Sequence, residues 1–315
     1  MSAGKRWPEY DGGRPIRSAA PPRGGGEISN NMIRDICERV FVRAVSSPRM
    51  SRLTASLADL RPPGPLLRPL MRAYIRAYGV DMSEAAEPLA SFPSFNAFFT
   101  RRLRTGARPI CADADSVVSP CDSRVHAIGP MPEDGRLEQV KGRTYSLSAL
   151  LASEDDARTF ARGVHATLYL SPSMYHRVHS PVDGRIRAWR YVPGRLFPVN
   201  GLAIRHVKDL FAVNERVSIL IDSPEFGSVA VIMVGAANVG RMSLSFADLV
   251  TNSGQPGALV QPPAPIPIAR GQELGAFNLG STVVLLVADP RLRLAGISTG
   301  QFIQMGSPLW KRIPK

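Results

Sequence analysis

Three short segments of this chain hold side chains able to move protons and to attack a carbonyl. In Leu279-Gly280-Ser281-Thr282 a hydroxyl follows a glycine whose carbonyl no side chain shields, just before the apolar run Val283-Val284-Leu285-Leu286. A serine beside an open carbonyl is what an intramolecular nitrogen-to-oxygen acyl shift requires, although Gly-Ser-Thr before a strand is also common turn chemistry. The segment Tyr175-His176-Arg177-Val178-His179-Ser180-Pro181 spaces two imidazoles three residues apart. On a helix such a pair could hold a metal. Pro172 and Pro181 favour a loop or strand edge instead, and no third ligand stands at a fitting spacing, so no metal is expected. Histidines that only satisfy buried hydrogen bonds are the plainer alternative. In Ser119-Pro120-Cys121-Asp122-Ser123 a carboxylate sits in a proline turn, where it either orients a histidine, as in Asp-His-Ser acyl transfer, or makes an ordinary Asx turn.

The elements that must position these groups change character along the chain. Residues 1–28 are rich in Gly, Pro and Arg and carry few apolar residues, which predicts a disordered basic tail. Ile33, Ile36, Val40 and Phe41 recur at helical steps, Pro62-Pro63-Gly64-Pro65 interrupts, and a second helix is predicted over about Leu66 to Tyr78. Beyond residue 115 short apolar and β-branched runs alternate with Gly, Pro, Asn and Asp, and Ala166–Leu170, Arg216–Ile221, Val229–Val234 and Thr282–Val287 read as strands. The expected class is α+β: a mainly β catalytic domain over 91–315, preceded by a helical membrane-associating region over 29–90.

Charge bears on the partner. The 315 residues carry a net charge of +13, which attracts either nucleic acid or acidic lipid headgroups. Between residues 31 and 110 there are 13 Arg, no Lys and 6 acidic residues, and Arg68, Arg72 and Arg76 fall at four-residue steps among Leu, Met, Ile and Tyr. That is the composition of a helix lying on an anionic membrane, and equally of a core helix with a solvated basic face. RNA-binding aromatic signatures, zinc-finger spacing and a long basic helix are missing, so no nucleic acid is expected. No apolar run approaches the ~18 to 20 residues of a membrane span, and the start lacks the order of a secretory signal. Cys37, Cys111 and Cys121 are too few and too irregular for a disulfide framework, which fits a reducing compartment.

The three segments, in this order and together with Phe95-Asn96-Ala97-Phe98-Phe99-Thr100-Arg101-Arg102-Leu103 and Gly106-Ala107-Arg108-Pro109-Ile110, resemble the bacterial phosphatidylserine decarboxylase family. The likeness runs from about Phe95 to Leu286 and is most specific at residues 175–184 and 279–282. It implies a chain that cuts itself between Gly280 and Ser281. His179, oriented by Asp122, would take the Ser281 proton, and Ser281 itself would be converted to the cofactor, a covalently held pyruvate in the form of a pyruvoyl group. That keto group would draw electrons from phosphatidylserine as carbon dioxide leaves, and His176, with a pKa near the working pH, would return the proton. Fragments 1–280 and 281–315 would stay together as a heterodimer, further homo-oligomerisation being left open. The place implied is the cytoplasmic face of the inner membrane, peripherally bound. The family pattern continues Ser-Pro-x-Asp with Gly, where this chain has Ser123. Glycine permits a positive φ that serine adopts poorly, so the aim of Asp122 is expected to shift.

Two other classes compete. A serine hydrolase would use Ser281, His179 and Asp122 on an external ester and stay in one piece, but the chain has no Gly-x-Ser-x-Gly elbow at Ser281. A noncatalytic module would use only the basic face, on anionic lipid.

Overall fold

Why the short apolar runs become strands, and not helices, is seen in Thr282–Val287: six residues, three of them valine and all buried, lie between two other strands with both faces covered. The computed structural model describes residues 48–140, 142–199, 201–237, 241–278 and 282–313. The tail over 1–28 and the first helical stretch over 33–41 lie outside the described residues.

The described strands in chain order are β1 (Ser116–Val118), β2 (Ser123–Pro130), β3 (Arg136–Val140), β4 (Arg143–Ser146), β5 (Val164–Tyr169), β6 (Arg177–His179), β7 (Gly184–Val192), β8 (Arg216–Ser223), β9 (Gly227–Val234), β10 (Met242–Leu244), β11 (Ala258–Val260), β12 (Ile266–Ile268), β13 (Glu273–Phe277), β14 (Thr282–Val287), β15 (Leu292–Leu294), β16 (Phe302–Ile303) and β17 (Pro308–Arg312). One large antiparallel sheet runs β11-β7-β8-β9-β14-β5-β2-β16, with β12 also on β7. Small sheets run β10-β13-β6, β1-β17-β15 and β3-β4. The side-chain alternation of β14 divides the core: Val283, Leu285 and Val287 pack into one apolar cluster, Val284 and Leu286 into another.

The helices are α1 (Pro48–Asp59), α2 (Gly64–Tyr78), α3 (Phe95–Phe99), α4 (Leu147–Leu151), α5 (Glu154–Phe160), α6 (Gly201–His206) and α7 (Leu210–Val213). The chain is thus mainly β with few helices, α+β overall. Helix α2 holds Pro65 in its first turn, where the missing N–H costs nothing, and is capped by Gly79, whose φ of 68° closes the helix in the left-handed region. Leu67 and Met71, one turn apart, bury against Phe92 and Phe98, and the Tyr74 hydroxyl donates to the Pro172 carbonyl at 3.0 Å. The helical layer is therefore packed onto the segment that leads to the histidines.

Candidate active site

Two connections link the large sheet to the sheet β10-β13-β6, and their ends are paired. Residues 235–241 join β9 to β10 and residues 278–281 join β13 to β14, with Val234 opposite Thr282 and Met242 opposite Phe277. Gly280 and Ser281 lie outside the described residues. What brackets them is well fixed. The Asn278 N–H donates to the Arg241 carbonyl at 2.9 Å, and Thr282 is buried between Tyr169 and Val234.

The histidine segment hangs on the strand that leads into this connection. β6 is the edge strand beside β13, with His179 opposite Glu273 and Arg177 opposite Ala276, and the Phe277 N–H donates to the His176 carbonyl at 2.9 Å. Arg177 clamps the ladder: its guanidinium holds both Glu273 oxygens at 2.8 and 2.9 Å and donates through Nε to the Thr100 carbonyl. The strand-edge expectation for this segment holds, and the Asp122 turn meets it through the backbone, where the His179 N–H donates to the Pro120 carbonyl at 2.8 Å.

The two imidazoles look different ways, as an odd spacing on extended chain requires. His176 is fully buried against the Phe99 ring, 4.0 Å between centroids. Its Nδ1 lies 2.8 Å from the Met174 carbonyl, which can only accept, so Nδ1 carries the proton and Nε2 presents a bare lone pair, buried and without a partner. Burial, reinforced by the nearby Arg101 charge, pushes the His176 pKa down to about 3. The expectation of a histidine titrating near working pH is therefore corrected: the ring rests neutral, because a cation there has no water to solvate it. His179 is held at both ends, Nδ1–H donating to the Gly271 carbonyl at 2.9 Å and Nε2 accepting from the Tyr175 hydroxyl at 3.0 Å. Burial lowers its pKa, while the Gly271 carbonyl and the charges of Glu273 and Asp122 act the other way.

The orientation of His179 by Asp122 is also corrected. Both Asp122 oxygens are engaged elsewhere: Arg108 reaches them through Nε at 2.8 Å and Nη2 at 2.6 Å, and the Met305 N–H donates to Oδ1 at 2.9 Å. A buried carboxylate takes the strongest donor within reach, and a guanidinium fork outcompetes an imidazole N–H. Asp122 reaches His179 only through its field. Arg108 is shared with Glu84, whose oxygens lie 2.8 and 2.9 Å away, and these partners raise its pKa. Ser123 opens β2 without a positive φ, so the glycine-specific strain expected there is absent.

Sequence reasoning passed over Tyr175, although its place four residues before His179 in one motif was a signal, and it gave Arg108 no role. It did not single out Arg101, which is buried beside His176.

A family model for phosphatidylserine decarboxylase matches residues 95–311. Curated relatives carry the name phosphatidylserine decarboxylase proenzyme. That of Anaeromyxobacter sp. (strain K) is 42% identical over 279 residues, covering 86% of this chain and 98% of its own length. Those of Myxococcus xanthus (strain DK1622) and Bordetella petrii are 39% and 43% identical, covering 80% and 78% of this chain and 89% and 86% of their own.

Proposed function

The chain belongs to the phosphatidylserine decarboxylase family, and from that membership we propose that it converts phosphatidylserine to phosphatidylethanolamine after cutting itself between Gly280 and Ser281. The observation that carries this reading is the ladder that ties the Tyr175–His179 segment to the strand leading into the cut position. In the cut, His179 Nε2 takes the Ser281 proton, directly or through the Tyr175 hydroxyl, as the serine oxygen attacks the Gly280 carbonyl carbon. The C–N bond breaks and an ester forms. Loss of the Ser281 α-proton with departure of the Gly280 carboxylate leaves a dehydroalanine, and water then replaces its nitrogen, releasing ammonia. Asp122 supports the charge that builds on His179 from a distance.

The surroundings suit a pyruvoyl group at residue 281. A buried imidazole nitrogen without a partner belongs to a residue bonded to Phe277, and Thr282 is anchored within the large sheet. Once formed, that group supplies an electron sink: a carbonyl that takes up the substrate amine and receives the electrons freed as carbon dioxide leaves. Because His176 rests neutral, its Nε2 first accepts the proton of the substrate ammonium and later returns that proton to the α-carbon.

The lipid comes from a bilayer, and α1 and α2 carry the means of reaching one. Leu53 and Leu57 of α1, Leu60 just after it, and Leu66 and Leu70 of α2 are exposed, and α2 also exposes Arg68, Arg72 and Arg76. No described helix is long and apolar enough to cross a membrane. This surface supports peripheral attachment to an anionic bilayer, which we assign as the cytoplasmic face of the inner membrane. The test is the denatured intact mass of the parent and of Ser281→Ala, with phosphatidylethanolamine formation followed in parallel. Two fragments meeting at 280 and 281 and an active parent, against a single inactive variant, are expected. An intact, folded, inactive parent would return the hydrolase and lipid-binding readings.

A further inference from the structure

We propose that Arg101 is the receptor for the phosphodiester of the lipid headgroup, a role that rests on the decarboxylase reading and adds a substrate subsite to it. Arg101 is only 5% exposed, yet it forms no ion pair among the described residues. Its Nε has no hydrogen-bond partner, and its Nη2 makes one long bond, 3.3 Å, to the Ser173 carbonyl. Phe98 lies beneath the guanidinium, 5.7 Å from ring centre to Cζ.

A second buried guanidinium shows what a structural arginine looks like in this fold. Arg216 is as deeply buried, but it spends its donors on the carbonyls of Ala149, Leu150, Ala212 and Asn214 at 2.5 to 3.0 Å, tying together the ends of α4 and α7. A guanidinium carries five N–H groups in a planar fork, and burying the cation with its Nε unsatisfied and no described carboxylate in contact is costly unless an anion arrives. The carboxylates that Arg101 feels, Asp122 and Glu84, are already bound by Arg108. The position is right for a substrate: Phe98 underlies Arg101, the adjacent Phe99 lies on His176, and the covering residues Ser171–Met174 are half-exposed.

The headgroup offers two anions. A cation fixed on the carboxylate would stabilise the ground state, because that group loses its charge as it leaves. The phosphodiester keeps its charge throughout, so binding it costs the reaction nothing. A planar fork also matches phosphate oxygens.

The test uses the uncut Ser281→Ala chain, so that binding is read without catalysis. Glycerophosphoserine, glycerophosphoethanolamine and free L-serine are titrated calorimetrically into it and into versions also carrying Arg101→Met or Arg101→Lys. At least tenfold weaker binding of both phosphodiesters by Arg101→Met is expected, with partial recovery in Arg101→Lys and a ligand-free Tm no lower than that of the Ser281→Ala chain. Equal binding with and without Arg101, no binding of either phosphodiester, or a loss confined to glycerophosphoserine would overturn the assignment, the last by making the carboxylate the bound anion. So would a ligand-free Tm lowered by more than about 5 °C, the mark of a structural cation. Decarboxylation by the parent is assayed separately: its absence beside intact Arg101-dependent binding refutes the function and leaves the subsite standing.

Discussion

Acidification of the uncut Ser281→Ala chain should expose the neutrality of His176 as a loss of stability. In the unfolded chain the imidazole titrates at its ordinary 6.5, whereas burial holds the folded value at about 3. Between those values the unfolded state binds more protons, so stability is fully present above about pH 6.5 and falls as the pH drops toward 3. At about pH 5 the gap from 6.5 corresponds to about 2 kcal/mol for this one ring, at roughly 1.4 kcal/mol per unit. His165, buried on β5 with a pKa pushed down to about 4, adds a similar amount. Urea unfolding at about pH 7.5 and about pH 5 measures the sum, and His176→Gln should reduce the acid loss by about 2 kcal/mol, His165→Gln by a like amount. An acid loss in His176→Gln equal to that of the starting chain would refute the reasoning. His176 would then not be held neutral, and the proton it is proposed to carry could not come from the substrate ammonium.

Tyr175→Phe removes the hydrogen bond on His179 Nε2 and should slow self-cleavage about five- to tenfold, a net hydrogen bond of about 1 kcal/mol; an unchanged time course of intact masses would show that the hydroxyl is a bystander. Asp122→Asn leaves the buried Arg108 with Glu84 as its one carboxylate partner among the described residues and should cost about 3 kcal/mol in urea unfolding. A loss under about 0.5 kcal/mol would mean that Glu84 and solvent satisfy the guanidinium unaided. Leu66→Asp with Leu70→Asp changes two exposed side chains of α2, so folding should survive while binding to anionic vesicles drops at least tenfold, and parental binding should itself weaken with added salt. Vesicle binding indifferent to both would place the membrane contact elsewhere.

The β-rich architecture was legible because its strands are written as compact apolar runs. Thr282–Val287 is found at the predicted residues, and Val229–Val234 gains only Gly227 and Ser228. The helix over α2 was legible from its proline punctuation and four-residue spacing, and differs from the prediction only in starting at Gly64. That the Asp122 turn, the histidine segment and residues 280–281 act together was implied by the family resemblance, whereas the backbone pairings, His179 to Pro120 and β6 to β13, come from the structure. The partners of each side chain were not implied either. Asp122 pairs with Arg108, fourteen residues upstream, because competition among donors is decided in three dimensions. In the same way, the low pKa of His176 arises from burial beneath Phe99, which is remote in sequence.

The place of β14 in the large sheet has a consequence for how the molecule can be made. β14 is an inner strand, hydrogen-bonded to β5 on one side and to β9 on the other, and the proposed cut between 280 and 281 falls just before its first residue, Thr282. Before the cut, β13 and β14 are joined, and the sheet closes as one chain. Afterwards the 35-residue piece from 281 to 315 would be kept only by strand pairing and packing, and its release would require opening the middle of the sheet. The mature form would persist by the slowness of its unfolding and, once denatured, would have to reassemble from two molecules at a rate set by their concentration. Such a protein folds efficiently once, as the precursor, and then carries out the cut.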